Sequence, residues 1–136
     1  MRFVDTNILL YAISTAADEA DKARVARELL DGRDLGLSVQ VLQEFYVQST
    51  RASRDGRLSH HQAGALIESW LRFTIQESTV TLMRAALMAA ARFRLSYWDA
   101  AIIEAARLLH CHTVLSEDLS DGQFYRGIRV TNPFRR

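Results

Sequence analysis

A chain of 136 residues that is 49% hydrophobic and 24% charged has enough apolar material for a core and too little bias for a disordered or fibrous protein. Its formal net charge of +1 argues neither for nor against a nucleic-acid partner. One cysteine, Cys111, rules out an internal disulfide, charge arrives too early for a signal peptide, and no run approaches the ~20 apolar residues of a membrane span, so a soluble cytoplasmic protein is expected.

In chain order, residues 2–4 read as a strand and 7–13 as a short helix. A loop at 15–18 precedes a helix over 19–30, where Val25, Ala26, Leu29 and Leu30 recur at helical spacing and Gly32 suits the position past its end. Residues 35–38 form a second strand candidate. The helix over 40–49 follows, with Leu42, Phe45, Tyr46 and Ser49 on one face. The polar stretch 51–57 is a break, and Ser59 precedes a helix reaching 70–73. A weak strand at 74–76, helices over 79–93 and 96–109, and a strand at 113–116 come next. Residues 117–127 read as a loop with a turn at Asp121-Gly122, and 128–130 as the last strand. Strands separated by helices need crossovers, hence a parallel sheet covered on both faces. The expected architecture is α/β: a three-layer sandwich with a central, mostly parallel twisted sheet of about five strands flanked by helices, as one domain over 1–136.

Acidic residues sit where such a sheet would place a site, outside the carboxyl ends of its strands. Asp5 follows the first strand and Asp118 the strand at 113–116, while Glu44 and Asp99 lie on helices. Each also has a plain structural reading. Asp5 could cap the short helix, and Ser96-Tyr97-Trp98-Asp99 fits a capping box. Glu44 lies opposite the aromatic face of its helix, where solvent exposure would explain it, and Asp118 stands in an acidic loop with Glu117 and Asp121. Were the acids to converge, repulsion would raise their pKa values and a bound cation would remove the penalty. Carboxylates without accompanying Cys or His select hard ions, Mg²⁺ or Mn²⁺ before Zn²⁺. Such an ion makes water a better nucleophile and neutralises charge on phosphoryl oxygens.

Other signals are weaker. Lys22 is the only lysine among 17 basic residues, and a coding bias explains most of the arginine excess. Arg51, Arg54 and Arg57 form the best basic cluster, readable as RNA phosphate contacts or as a solvated loop. His110 and His112 could share a face if extended, with Cys111 in the core. Trp98 reads as packing.

The segments FVDTNILLYA, SVQVLQEFY, LSYWDAAIIEAA and TVLSEDLSDGQFYRGIRVTNPF, in this order, resemble PIN-domain ribonucleases, in particular VapC-type toxins of bacterial toxin–antitoxin pairs. The resemblance spans essentially the whole chain. It implies an acidic quartet of Asp5, Glu44, Asp99 and Asp118, with Asp5 and Asp99 as principal ligands of Mg²⁺ or Mn²⁺. Asp118 would complete the metal site directly or through water; it is preferred to Glu117 and Asp121 because it stands two residues after Ser116. Glu44 would orient water or hold a second ion, and Asn7, Ser116 and, less strongly, Thr6 match supporting polar positions. The resemblance further implies metal-dependent RNA cleavage leaving a 5′-phosphate and a 3′-hydroxyl, a homodimer, and an antitoxin whose tail covers the cleft. A silent scaffold that binds RNA or protein, or a related DNA nuclease, is the alternative.

Overall fold

The computed structural model describes residues 1–135. Its elements run β1 (Arg2–Val4), α1 (Thr6–Ala12), a 3-10 turn at Ala17–Glu19, α2 (Ala20–Leu30), β2 (Leu35–Ser38), α3 (Val39–Ser49), α4 (His60–Trp70) and β3 (Thr74–Gln76). Then come α5 (Val80–Phe93), α6 (Tyr97–Leu108), β4 (Thr113–Leu115), β5 (Phe124–Tyr125) and β6 (Ile128–Thr131). Side-chain oxygens set the helix starts. Ser38, Ser59, Thr79 and Ser96 accept from the N–H groups of Val41, Gln62, Leu82 and Asp99.

The strands lie in the order β3-β2-β1-β4-β6-β5, all pairs being parallel except β5–β6. From β1 the chain moves outward through β2 and β3, then returns across the sheet to β4 on the other side of β1. Right-handed crossovers therefore put α1–α4 on one face and α5–α6 on the other. The three-layer expectation holds. The strand count differs, six against about five, because Phe124–Tyr125 pairs back on β6 inside the segment expected to be a loop. Arg126 and Gly127, with φ 45° and 88°, make the two-residue turn, whose positive φ at both positions matches the twist of a hairpin.

The sheet is buried on both faces. Phe3, Val4, Leu35, Leu37, Val114, Leu115 and Val130 pack against Ile8, Leu9, Val41, Phe45 and Ile103 from the helices. A smaller patch of Ala86, Ala89, Ala100 and Ala101 seats α5 on α6, where short side chains permit close approach. Cys111 is buried, as expected. His110 departs from the extended reading: its φ of 62° closes the turn after α6, so it shares no strand face with His112. Among the described residues no helix is long and apolar enough to cross a membrane.

Candidate acidic cleft

The sheet order reverses between β1 and β4, and the crevice at their carboxyl ends is the switch point where open α/β sheets form sites. Asp5 leaves β1 there and Ser116 leaves β4. The Asp5 backbone N–H donates to the Leu115 carbonyl at 3.0 Å, which locks the two strand ends together.

Asp5 caps α1 and lines the crevice as well. Oδ1 accepts from the Thr6 N–H at 2.7 Å as the cap of α1, while Oδ2 accepts from the Ser116 hydroxyl at 2.7 Å and, more weakly, from Asn7 Nδ2 at 3.4 Å. Asn7 closes the network: Nδ2 lies 3.3 Å from Ser116 Oγ, and Oδ1 accepts from the Glu117 N–H at 3.1 Å. Ser116 Oγ in turn accepts from the Leu119 N–H at 3.2 Å, so the loop after β4 is tied to the start of α1. Burial pushes the Asp5 carboxyl up to a pKa of about 6. The Ser116 and Thr6 hydrogen bonds oppose the rise, and the charges of Glu44 and Asp118 add to it.

Glu44 does not simply face solvent. Its Oε1 accepts from Thr6 Oγ1 at 3.1 Å and from Gln40 Nε2 at 3.4 Å, and the side chain is half-buried. Gln40 also donates to the Trp98 carbonyl at 3.3 Å, linking α3 to the start of α6 across the top of the sheet. Asp99 forms only half of the expected capping box. Its N–H donates to Ser96 Oγ at 3.1 Å, and its exposed carboxylate faces the crevice.

Asp5, Glu44, Asp99 and Asp118 line one cavity of about 100 Å³, together with Thr6, Asn7, Gln40 and Trp98. Two acids come from strand ends, one from each helical layer. The other acids of the β4 loop are otherwise engaged. Glu117 accepts from Lys22 Nζ at 2.5 Å and from the Tyr11 hydroxyl, and Asp121 accepts from the Asn132 N–H at 2.8 Å. Among the described residues no three carboxylates, imidazoles or thiols close on a single point. An all-oxygen set of this spread suits a hard cation that keeps several of its waters, as Mg²⁺ does, better than an ion enclosed by direct ligands.

The arginine cluster divides. Arg51 borders the cleft on the α3 side with Glu44 and Trp98, and half-buried Arg54 lines a second hollow with Asn7, Glu117 and Asp118. Arg57 is exposed and lines neither hollow. Two features escape the sequence reading. Trp98 is 63% exposed rather than packed, and Gln40 holds Glu44. The spacing of Gln40 and Glu44, one helical turn, was the signal for the second.

The PIN-domain family matches residues 2–126. No curated protein matches the chain in sequence. Among solved structures, a toxin–antitoxin complex from Klebsiella pneumoniae is similar at a TM-score of 0.74 and 19% identity, with 100% of each chain covered. FitAcB from Neisseria gonorrhoeae has a TM-score of 0.69 at 18% identity, again over 100% of each chain. Mycobacterium tuberculosis VapC20, described as a sarcin-ricin loop cleaving toxin, has a TM-score of 0.65 at 17% identity, over 87% of this chain and 90% of that one. The four-acid cleft stands at the switch point of a sheet these proteins share, and the match over residues 2–126 places the chain in the PIN-domain family.

Proposed function

We propose that this protein is a VapC-type toxin: a metal-dependent endoribonuclease, one domain over residues 1–136, acting in the cytoplasm and restrained by a cognate antitoxin. The observation that carries the reading is the meeting of Asp5, Glu44, Asp99 and Asp118 in one cavity, from four separate places in the chain. Likeness in fold to a toxin–antitoxin complex and to a toxin described as cleaving the sarcin-ricin loop supports it.

Asp5 and Asp99 would hold Mg²⁺ or Mn²⁺, with Asp118 reached directly or through water. When bound, the ion supplies an activated water and neutralises charge on the phosphoryl oxygens. Ser116 and Asn7 fix the Asp5 carboxylate in one rotamer. Thr6 and Gln40 do the same for Glu44, leaving its second oxygen free to orient water. Arg51 and Arg54 flank the acids and offer RNA phosphates the positive charge that the acids deny them. An antitoxin would silence the cleft by placing an Arg among the carboxylates. A second copy of the chain would cover the apolar residues that α5 turns to solvent, Val80, Met83, Leu87 and Met88.

The test is cleavage of a mixed RNA substrate by antitoxin-free protein in Mg²⁺, Mn²⁺ and EDTA, beside folded Asp5→Asn and Asp99→Asn. Cutting that needs metal and both acids is expected. Equal cutting by the variants would refute the site. Cutting of single-stranded or flap DNA in preference to RNA would move the protein to the DNA nucleases.

A further inference from the structure

Trp98 presents an unusual combination: a large indole, 63% exposed, on the residue immediately before Asp99. Its backbone is held by the Gln40 bond to its carbonyl, and its ring is buttressed edge-on by Tyr97, with centroids 4.9 Å apart at 84°. The same indole lines the acidic cavity and an adjoining groove of about 300 Å³. That groove is walled by Gln43, Val47, Gln48 and Arg51. One wall is thus apolar and flat, the amides can both donate and accept, and the charge at the end away from the acids is positive.

On the ribonuclease reading above, we infer that Trp98 is the stacking platform of a nucleobase subsite beside the scissile phosphate, with Arg51 taking the neighbouring phosphate. A base is neutral and planar, so it tolerates carboxylates at one edge while its face covers the indole. The phosphate it carries is drawn to the Arg51 guanidinium that lines the groove. Stacking on an exposed aromatic is sequence-tolerant, since every base has a π-face, and the Gln43 and Gln48 amides add edge contacts that can favour some bases. The held backbone and the Tyr97 buttress mean that little side-chain freedom is lost on binding.

The test is binding in EDTA, where cleavage is absent, of an octa-adenylate and of the matching abasic ribose-phosphate octamer. Intrinsic fluorescence reports the contact directly, because the other tryptophan, Trp70, is buried and Trp98 is not. The adenylate should quench Trp98 and shield it from acrylamide. Trp98→Ala should weaken adenylate binding about 5- to 150-fold, the range for one base–aromatic stack, and leave the abasic octamer unchanged. Trp98→Phe should recover most of the preference, and Arg51→Ala should weaken both octamers alike. Equal binding of the two octamers by wild type would overturn the subsite alone. Binding of neither would count against the ribonuclease reading as well. Conversion of a dimer to monomers by Trp98→Ala, with adenylate binding intact, would assign the indole to a protein contact and overturn the subsite.

Discussion

The Lys22 ammonium lies 2.5 Å from Oε2 of Glu117, and the Tyr11 hydroxyl donates to the other oxygen of the same carboxylate. The only lysine of the chain thereby removes one acid from the cleft and anchors the loop that carries Asp118. Burial alone would raise the Glu117 pKa, but the hydrogen bonds from Lys22 and Tyr11 prevail and hold it below the usual carboxylate range. Lys22 also sits over the Tyr11 ring, 4.9 Å from its centroid, and Tyr11 meets Phe134 edge-on at 5.0 Å. Lys22→Met should cost little stability, under about 1 kcal/mol, because this pair is partly solvated. It should instead release Glu117 toward the cleft and disorder the placement of Asp118. The expected readout is Mn²⁺ affinity by calorimetry, altered several-fold while the melting temperature moves by a few degrees. An unchanged affinity would show that the loop holds without its clamp.

Asp5 gives a pH dependence whose sign is fixed by its environment. Its pKa is about 6 in the folded protein against 3.8 when free. Between those values the folded state binds the extra proton, so its stability is greatest at the acid end of the window and falls as pH rises toward 6. The loss is at most about 3 kcal/mol, the difference of about 2.2 between the two pKa values taken at about 1.36 kcal/mol per pH unit. Metal-free wild type should therefore be less stable at pH 7.5 than at pH 4.5 on this account, and Asp5→Asn should lack that component. Adding Mg²⁺ at pH 7.5 should raise the melting temperature of the wild type and leave the variant nearly unmoved. Thermal melts in EDTA and in Mg²⁺ at the two pH values decide it.

Arg107 should carry more stability than its half-exposed position suggests. Its guanidinium donates to Glu104 Oε1 at 3.0 Å, to the Tyr125 carbonyl at 2.8 Å and to the Arg126 carbonyl. It thus joins α6 to the β5–β6 hairpin. Glu104 is buried, and its Oε2 has no hydrogen-bond partner among the described residues, so Arg107 is what compensates the carboxylate. Arg107→Ala strands that charge and should cost about 3 kcal/mol or more. The double change Glu104→Met with Arg107→Met should recover much of the loss, since it removes the buried charge along with its partner. Urea denaturation of the single and double variants measures both terms.

What was legible in the sequence was local. Ser59, Thr79 and Ser96 act on N–H groups three residues away, so the starts of α4, α5 and α6 can be read from a few letters. The central strands are short apolar runs, buried on both faces, and stand out for that reason. Strand β5 is two residues long and owes its existence to the Arg126-Gly127 turn and a register with β6, neither of which leaves a periodic trace. The plain reading of Glu44 as solvent-exposed fails for a different reason. Its helix face is indeed polar, but the hydroxyl that claims it is Thr6, 38 positions earlier. Asp99 shows the converse: a local motif predicted its carboxylate's partner, and the carboxylate faces the cleft instead. The resemblance in motif order named the four acids; only the fold brings them to one cavity.

The Glu44 carboxylate offers a final prediction, because both of its partners can be removed without touching an acid. Thr6 is buried and donates through its hydroxyl, and Gln40 is buried and donates through its amide. Thr6→Val keeps the volume and deletes the donor; Gln40→Ala deletes the second donor and the tie to the Trp98 carbonyl. Groups that orient metal-site carboxylates are typically worth about 10- to 100-fold in metal affinity or activity. Each single variant should fall in that range for RNA cleavage at limiting Mn²⁺. The double variant should fall less than the product of the two, since both act on one oxygen. If Glu44 orients water, saturating Mn²⁺ leaves a kcat deficit in every variant. If Glu44 holds a second ion, saturating Mn²⁺ restores kcat and the deficit moves to the metal concentration needed for half-maximal rate. A Mn²⁺ titration of initial rates therefore assigns the role of Glu44, and wild-type behaviour in all three variants would remove it from the site.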